Sequence, residues 1–507
     1  MMQIYQKTFK VLQIILLLIA VHWLVVAITQ ISTITSWSDP FLWILVLLSI
    51  GSVKWWKQCY VFLVNHKRLI TLVAVALQVL FLISSELLIR RDAAVVFQGA
   101  FRIISDQSIS NYLTRNPNNL SLFLYERFFY NMFGFSSLWI LQGVNMLCTN
   151  ATAWILYRGT SRHFGSQVGN AIFILYVGLL GFSPYFYSMY TDILPLPFIA
   201  LQLIFALDIL ASHDRVQVVK KSLLLAGISA LAIVIRPTTF IVLIAFLMTL
   251  LFKGNWKKTG LVFLHIGIPF VLAVGSLNWF IDRQEEVTLI EGQGLAKGPL
   301  LFVNLGLTST GHDQEDMKEG LLQYIEPEKR SEYNNGMFLR ENVVKEIKRR
   351  LGQYTLFSFV NHLIEKQELT VSEGTLGWPY RDIDNEKTPV LNPLYRYTKH
   401  WGISSWIRKY FLSIDKSEYR YYALVKQFLW IVMAVGLVLV FLRFKLSDSL
   451  NFLSLAVFGG LLFLLIFEGG KTRYLIQFLP QVLILAGLGL TGLTKKPKGF
   501  WKEELEG

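Results

Sequence analysis

Residues 70–102 read ITLVAVALQVLFLISSELLIRRDAAVVFQGAFR. Residues 70–89 are apolar enough and long enough to cross a bilayer, which takes roughly 20 such residues in helical form. The run ends on two arginines and Asp92, and the segment beyond has the apolar spacing of a helix lying on a surface. A span that closes on a fixed carboxylate is the unit from which the rest of the chain can be read.

Outward from it the same grammar repeats. Further apolar runs lie at 11–29, 40–53, 135–157, 168–182, 193–211, 222–235, 238–252, 261–281, 424–442, 450–467 and 474–493. Together they predict an all-α polytopic membrane protein with about 12 transmembrane helices. The 507 residues are 53% hydrophobic and 16% charged, which excludes an ordinary soluble enzyme. The net charge of +14 does not indicate nucleic acid, because the Lys and Arg cluster in alternate loops. Those are KWWKQCYVFLVNHKR (54–68), YRGTSRH (157–163), SHDRVQVVKK (212–221), KGNWKK (253–258), RFK (443–445) and TKKPKGFWK (494–502). Basic loops face the cytoplasm, so both termini are expected inside and the loops after residues 89, 182, 235, 281 and 467 outside. Two cysteines, Cys59 and Cys148, leave no disulfide framework or thiolate metal site.

Four units are expected: an N-terminal transmembrane pair (1–69), a transmembrane core with a long outer loop (70–281, loop 90–134), an extracytoplasmic and mainly helical domain (282–423), and C-terminal transmembrane helices with a basic tail (424–507). The outer loop should form amphipathic helices broken at NPNN (116–119). No internal repeat is visible, which argues against the two similar halves common in secondary transporters.

Ionisable residues at the outer edges of spans are costly to hold there and mark candidate sites. Asp92 is placed to accept a proton from an incoming hydroxyl, or else to pair with Arg90 or Arg91. Asp192, in SPYFYSMYTDILPLPF, is either an acceptor- or metal-proximal group or a helix cap. Arg236, in IVIRPTTF, and Lys471 and Arg473 with Glu468, in EGGKTRYLIQFLP, suit a phosphate. Arg102, Arg115 and Arg127 put an excess of positive charge in the first outer loop, as an anionic ligand would require. Asn116, Asn118 and Asn119 read as a turn with a chance of touching an acceptor. Glu86 falls on a different helix face from Asp92. His312, Asp313 and Glu315 match no compact metal motif, and His265 reads as a packed core residue.

These stretches resemble the GT-C class of membrane glycosyltransferases, which includes protein O-mannosyltransferases and the aminoarabinose transferase of lipid A. The likeness lies in an Asp just beyond an early span, a long first outer loop, a second Asp after an aromatic run, RPTTF, and a final KTRYLIQFLP span. Stretches such as RNPNNLSLFLY, GPLLFVNLGLTSTG and EGTLGWPY are similar to those of Gram-positive multispanning proteins that glycosylate wall polymers. The resemblance implies a polyprenyl-phosphate sugar donor, a cell-envelope glycan, teichoic acid or glycolipid acceptor, and inverting transfer on the outer face of a bacterial cell membrane. By position it implies Asp92 as general base, Asp192 near the acceptor or a metal, and Arg236, Lys471 and Arg473 at the donor phosphate. The paired acidic motif usual in the class is reduced to Asp92, with Asp106 well downstream, so a divalent cation such as Mg or Mn is left open. A polysaccharide polymerase or a lipid-linked-sugar flippase is the alternative function.

Overall fold

The computed structural model describes residues 2–50, 53–86, 89, 91–381, 394–443 and 447–492. Its regular elements among these are helices. Seven are long and apolar enough to cross a membrane: Tyr5–Ile34, Lys67–Ser84, Arg215–Ile235, Trp256–Asp282, Tyr419–Leu442, Asp448–Ile466 and Thr472–Thr491. Ser166–Gly181, Leu196–Ala211 and Pro237–Lys253 are shorter apolar helices. Pro40–Ile50 and Ser137–Phe164 account for the other two runs expected to span. Eleven residues of the first are described, and the second carries Gln142, Asn145, Thr149 and Asn150, so seven is the number that length and composition establish among the described residues.

Burial separates central from peripheral helices. Thr472–Thr491 has 78% of its apolar window buried, whereas Trp256–Asp282 has 11% and leaves Val271, Leu272 and Phe280 on the surface. Apolar side chains so exposed fit a hydrocarbon surround, where their exposure costs nothing. The central helix packs closely because it is small where it crosses Tyr419–Leu442. A Cβ added at Gly489 would stand 1.8 Å from the Gly436 carbonyl oxygen, and one at Gly436 would stand 2.5 Å from that of Ala486. Those obstacles are backbone and cannot rotate away. Gly489→Val should therefore destabilise the protein by about 1–3 kcal/mol or more, read as a lower midpoint of thermal unfolding in detergent. An unchanged midpoint would mean that the two helices do not meet at these glycines.

Inside the bundle, a π-turn at Val177–Gly181 frees carbonyls from the helical ladder. Lys426 Nζ donates to the Gly178 and Leu179 oxygens at 2.6 and 2.9 Å, and Gln78 Nε2 to that of Gly181 at 2.8 Å. A lysine within a span is explained by these carbonyls. The turn also ends the helix and sends the chain into the aromatic run 182–190, whose course fixes Asp192.

The long segment after Asp282 divides. Leu301, Leu305, Met317, Leu321, Ile325, Met337, Phe338 and Val343 form a small core of their own, while Trp378, Tyr380, Ile407 and Leu412 join the main core. Lys366, in the Leu356–Val371 helix, pins the two parts together. Its buried ammonium donates to the carbonyls of Gly306, Leu465 and Phe467 at 2.9, 2.8 and 2.6 Å.

Candidate active site

Asp192 is 2% exposed. Its position follows from the aromatic run, which is held by polar bonds rather than by regular structure. Asn145 Nδ2 donates to the Phe186 carbonyl at 2.9 Å, Tyr185 Oη to that of Leu376 at 2.5 Å, and Tyr187 Oη to that of Ser85 at 3.2 Å. Met189 then turns through the left-handed region at φ +49°, delivering Thr191 and Asp192 to two arginines. Arg236 Nη1 stands 3.3 Å from Asp192 Oδ1, and Arg473 Nε 3.4 Å from Oδ2. The helix that follows begins at Leu196 with Pro195 as N-cap and no side-chain capping bond. Asp192 is thus an ion-paired carboxylate and not a cap.

Each arginine is fixed again from its other side. Arg236 donates to Thr191 Oγ1 at 2.8 Å and to Gln477 Oε1 at 3.1 Å, and Thr238 also donates to Gln477. Arg473 lies over the rings of Tyr190 and Tyr474, 5.5 Å from each centroid. Tyr474 donates to Glu468. Most of Arg236's polar capacity is therefore used internally, while Arg473 stays partly exposed.

Asp92 opens the helix Asp92–Ala100 as its first residue and is solvent-exposed. Arg91, just before it, is held at φ +59° and ψ −134°, a conformation that costs a non-glycine residue about 1–3 kcal/mol and is concentrated at functional sites. The Lys67–Ser84 helix has already ended, so Glu86 is not inside a span and shares no helix with Asp92, contrary to the sequence expectation. Arg90 lies outside the described residues.

The Tyr112 hydroxyl lies near Asp92, and burial followed by that carboxylate pushes its pKa up. Asn119 joins this rim to the arginine pair, donating to Tyr112 Oη at 2.8 Å and accepting from Tyr190 Oη at 3.1 Å. Burial, then Asp92, pushes the Tyr190 phenol up to about 12.

Two lysines lie within electrostatic range of the same carboxylate. Lys471 feels Glu468, Arg91, Arg473 and Asp92, and Lys297 feels Asp92, Glu468 and Arg115. Burial is the largest influence on both and lowers their pKa below the ordinary lysine value. Lys297 comes from an extended stretch laid along the Asp106–Arg115 helix, its backbone N–H donating to the Arg115 carbonyl at 3.0 Å. The loop carrying Glu468 and Lys471 is anchored through Phe467 by Lys366 and through Gly470, whose N–H donates to Thr370 Oγ1 at 3.1 Å.

The structure thus brings Asp92, Asp192, Arg236, Lys471 and Arg473 into one neighbourhood. Sequence reading missed Lys297, Tyr112, Tyr190 and Gln477, and read Asn119 as part of a turn with a chance of touching an acceptor. Arg115 and Arg127 are engaged elsewhere. Arg115 donates to the Tyr333 carbonyl and stacks on the Tyr333 ring, and Arg127 donates to the Gly99 carbonyl and stands 3.9 Å from Glu286. Asp313 caps the Gln314–Leu322 helix, accepting from the N–H groups of Glu315 and Asp316. His312 bonds to Thr310 beside the Lys471 loop, and His265 to Leu261 within its own helix. Among the described residues no group of three or more His, Cys, Asp or Glu side chains is placed to hold a metal ion. Asp192, with both oxygens facing guanidiniums, is a poor cation ligand.

A family described as conserved hypothetical integral membrane proteins matches residues 1–492. The chain belongs to that family. No curated protein matches this member of it. Among solved structures, the family member is similar to ArnT from Cupriavidus metallidurans in its apo state, at 14% identity over 82% of this chain and 76% of that one, with a TM-score of 0.30. It is also similar to the same protein bound to undecaprenyl phosphate, at 13% identity over 85% and 78%, with a TM-score of 0.32. Superposition at that level assigns no residue a role.

Proposed function

We propose that this protein is a membrane glycosyltransferase that moves a sugar from a polyprenyl-phosphate donor to a cell-envelope polysaccharide, teichoic acid or glycolipid, with inversion and with Asp92 as general base. The observation that carries the reading is the grouping of an exposed carboxylate with two part-buried lysines and an arginine at one rim. A base and a phosphate cradle side by side are what hydroxyl attack with a phosphate leaving group requires. The acceptor oxygen bonds to the anomeric carbon from the face opposite the phosphate, its proton passes to Asp92, and the anomeric C–O bond to phosphate breaks. Lys297, Lys471 and the free edge of Arg473 stabilise the leaving charge. Arg236 acts behind them, holding Asp192 and through it Arg473. The 282–423 segment selects the acceptor, and the site faces the outside with both termini in the cytoplasm.

The test is a sugar analysis of purified wall polymers and glycolipids from cells lacking the protein, with and without the wild-type gene restored. Loss of one sugar, recovered on restoration, is the expected result. Unaltered glycans would overturn the reading, and whole repeat units accumulating on lipid would replace it with a polymerase.

The lysines also predict a pH dependence. Phosphate binding favours the charged ammonium, so affinity is full below the lysine pKa of the free site and declines as pH rises through it. Because burial lowers both values, binding of undecaprenyl phosphate should begin to weaken at a pH below about 10.4, the ordinary lysine value. In Lys297→Arg/Lys471→Arg the decline should move to higher pH. Identical profiles for the two proteins would remove these lysines from the phosphate site.

A further inference from the structure

We infer that residues 394–412 form a belt that binds the headgroups of anionic phospholipids at the end of the Lys67–Ser84 span. The stretch reads LYRYTKHWGISSWIRKYFL and contains no acidic residue. Its inner side is bonded to the span. Thr398 donates to the Ile83 carbonyl, Arg408 Nη1 to that of Ser84 at 2.9 Å, and Ser84 Oγ to Ser404 Oγ at 3.2 Å. Ile407 and Leu412 are buried in the main core, and the Phe81 and Phe411 rings lie 5.8 Å apart. These bonds supply donors to the last carbonyls of the helix, which would otherwise be unsatisfied. They also fix the stretch at the level where the span leaves the hydrocarbon.

The outer side is of a different character. Tyr397, Trp401, Ile403 and Trp406 are exposed, Tyr397 at 74%, and Arg396, Lys399 and Lys409 are exposed among them. Aromatic residues with an apolar body and a polar edge concentrate at headgroup depth, and cations beside them attract anionic lipid at about 1 kcal/mol each. The span beneath exposes Leu69, Leu72 and Val73 in its first turns and Val79 nearer the belt, so the belt sits at the end of a helix turned to lipid along its flank. A water-facing loop would gain nothing from three large apolar side chains interleaved with cations. The inference does not depend on the transferase reading.

The test uses the full chain in nanodiscs of phosphatidylcholine and phosphatidylglycerol. A nitroxide at Ile403→Cys, in a Cys59→Ser/Cys148→Ser background, should be more accessible to oxygen than to a water-soluble nickel chelate. The retention of phosphatidylglycerol over phosphatidylcholine, read by native mass spectrometry, should fall about fivefold for each cation removed in Lys399→Gln/Lys409→Gln. A label that reports water overturns the belt. So does phosphatidylglycerol retention equal to wild type, which would leave the surface to a protein or glycan partner.

Discussion

Asp92→Asn is expected to lower sugar transfer by at least about a hundredfold, with the amount of protein in the membrane unchanged. The substitution keeps the shape of the side chain and removes its charge and its ability to take a proton. Asp92 is exposed in the first turn of a nine-residue helix, where a carboxylate contributes about 0.3–1 kcal/mol through the helix dipole. Loss of that much does not unfold a protein with a core of this size. Binding of the donor should survive and even tighten, because a negative charge beside the phosphate has gone. The signature is therefore a fall in kcat with KM equal or lower, measured with a radiolabelled polyprenyl-phosphate sugar in proteoliposomes. Tyr112→Phe, which removes the hydroxyl near Asp92, should have a much smaller effect. Full glycosylation by the Asp92→Asn protein in cells would end the general-base assignment.

How far the sequence can be read depends on the range of the interaction concerned. Each apolar run in it is helical over most of its described residues, because helix formation in lipid is decided within the segment. The number of crossings is less legible, since a helix such as Ser137–Phe164 carries polar groups that neighbours satisfy, and its composition alone does not show it as a span. Asp92, Asp192, Arg236, Lys471 and Arg473 are visible as charges at the ends of apolar runs. That Arg236 and Arg473 both turn to Asp192 is not visible, because it depends on where a π-turn and a run of aromatic residues carry the chain. Lys297, in GQGLAKGPL, has no periodicity or motif to single it out. It reaches the site only because residues 284–298 lie along the Asp106–Arg115 helix, with Ile290 N–H bonded to Thr114 Oγ1 at 2.9 Å. Lys366 and Lys426 are not singled out by the sequence, because the carbonyls that hold them come from distant parts of the chain.

Asp192→Ala is expected to cost about 3–5 kcal/mol of stability, the usual result of removing one member of a buried ion pair. The carboxylate is nearly inaccessible and stands between two guanidiniums at 3.3 and 3.4 Å. Without it two like charges are left close together with no counter-charge, and both lie against aromatic or amide groups that restrict their escape. The loss should appear as low yield and a lower midpoint of thermal unfolding in detergent. Asp192→Asn should be nearly as harmful, since it removes the same charge, whereas a helix cap would tolerate asparagine well. Compensation should be unequal. Arg236 keeps Thr191 and Gln477 as partners, but Arg473 retains chiefly the faces of Tyr190 and Tyr474. Arg473→Met should therefore recover more stability in the Asp192→Ala background than Arg236→Met does. A stable but inactive Asp192→Asn protein would contradict this account and place the carboxylate in contact with substrate, because a group whose work is to hold two arginines together cannot be lost without loosening the fold.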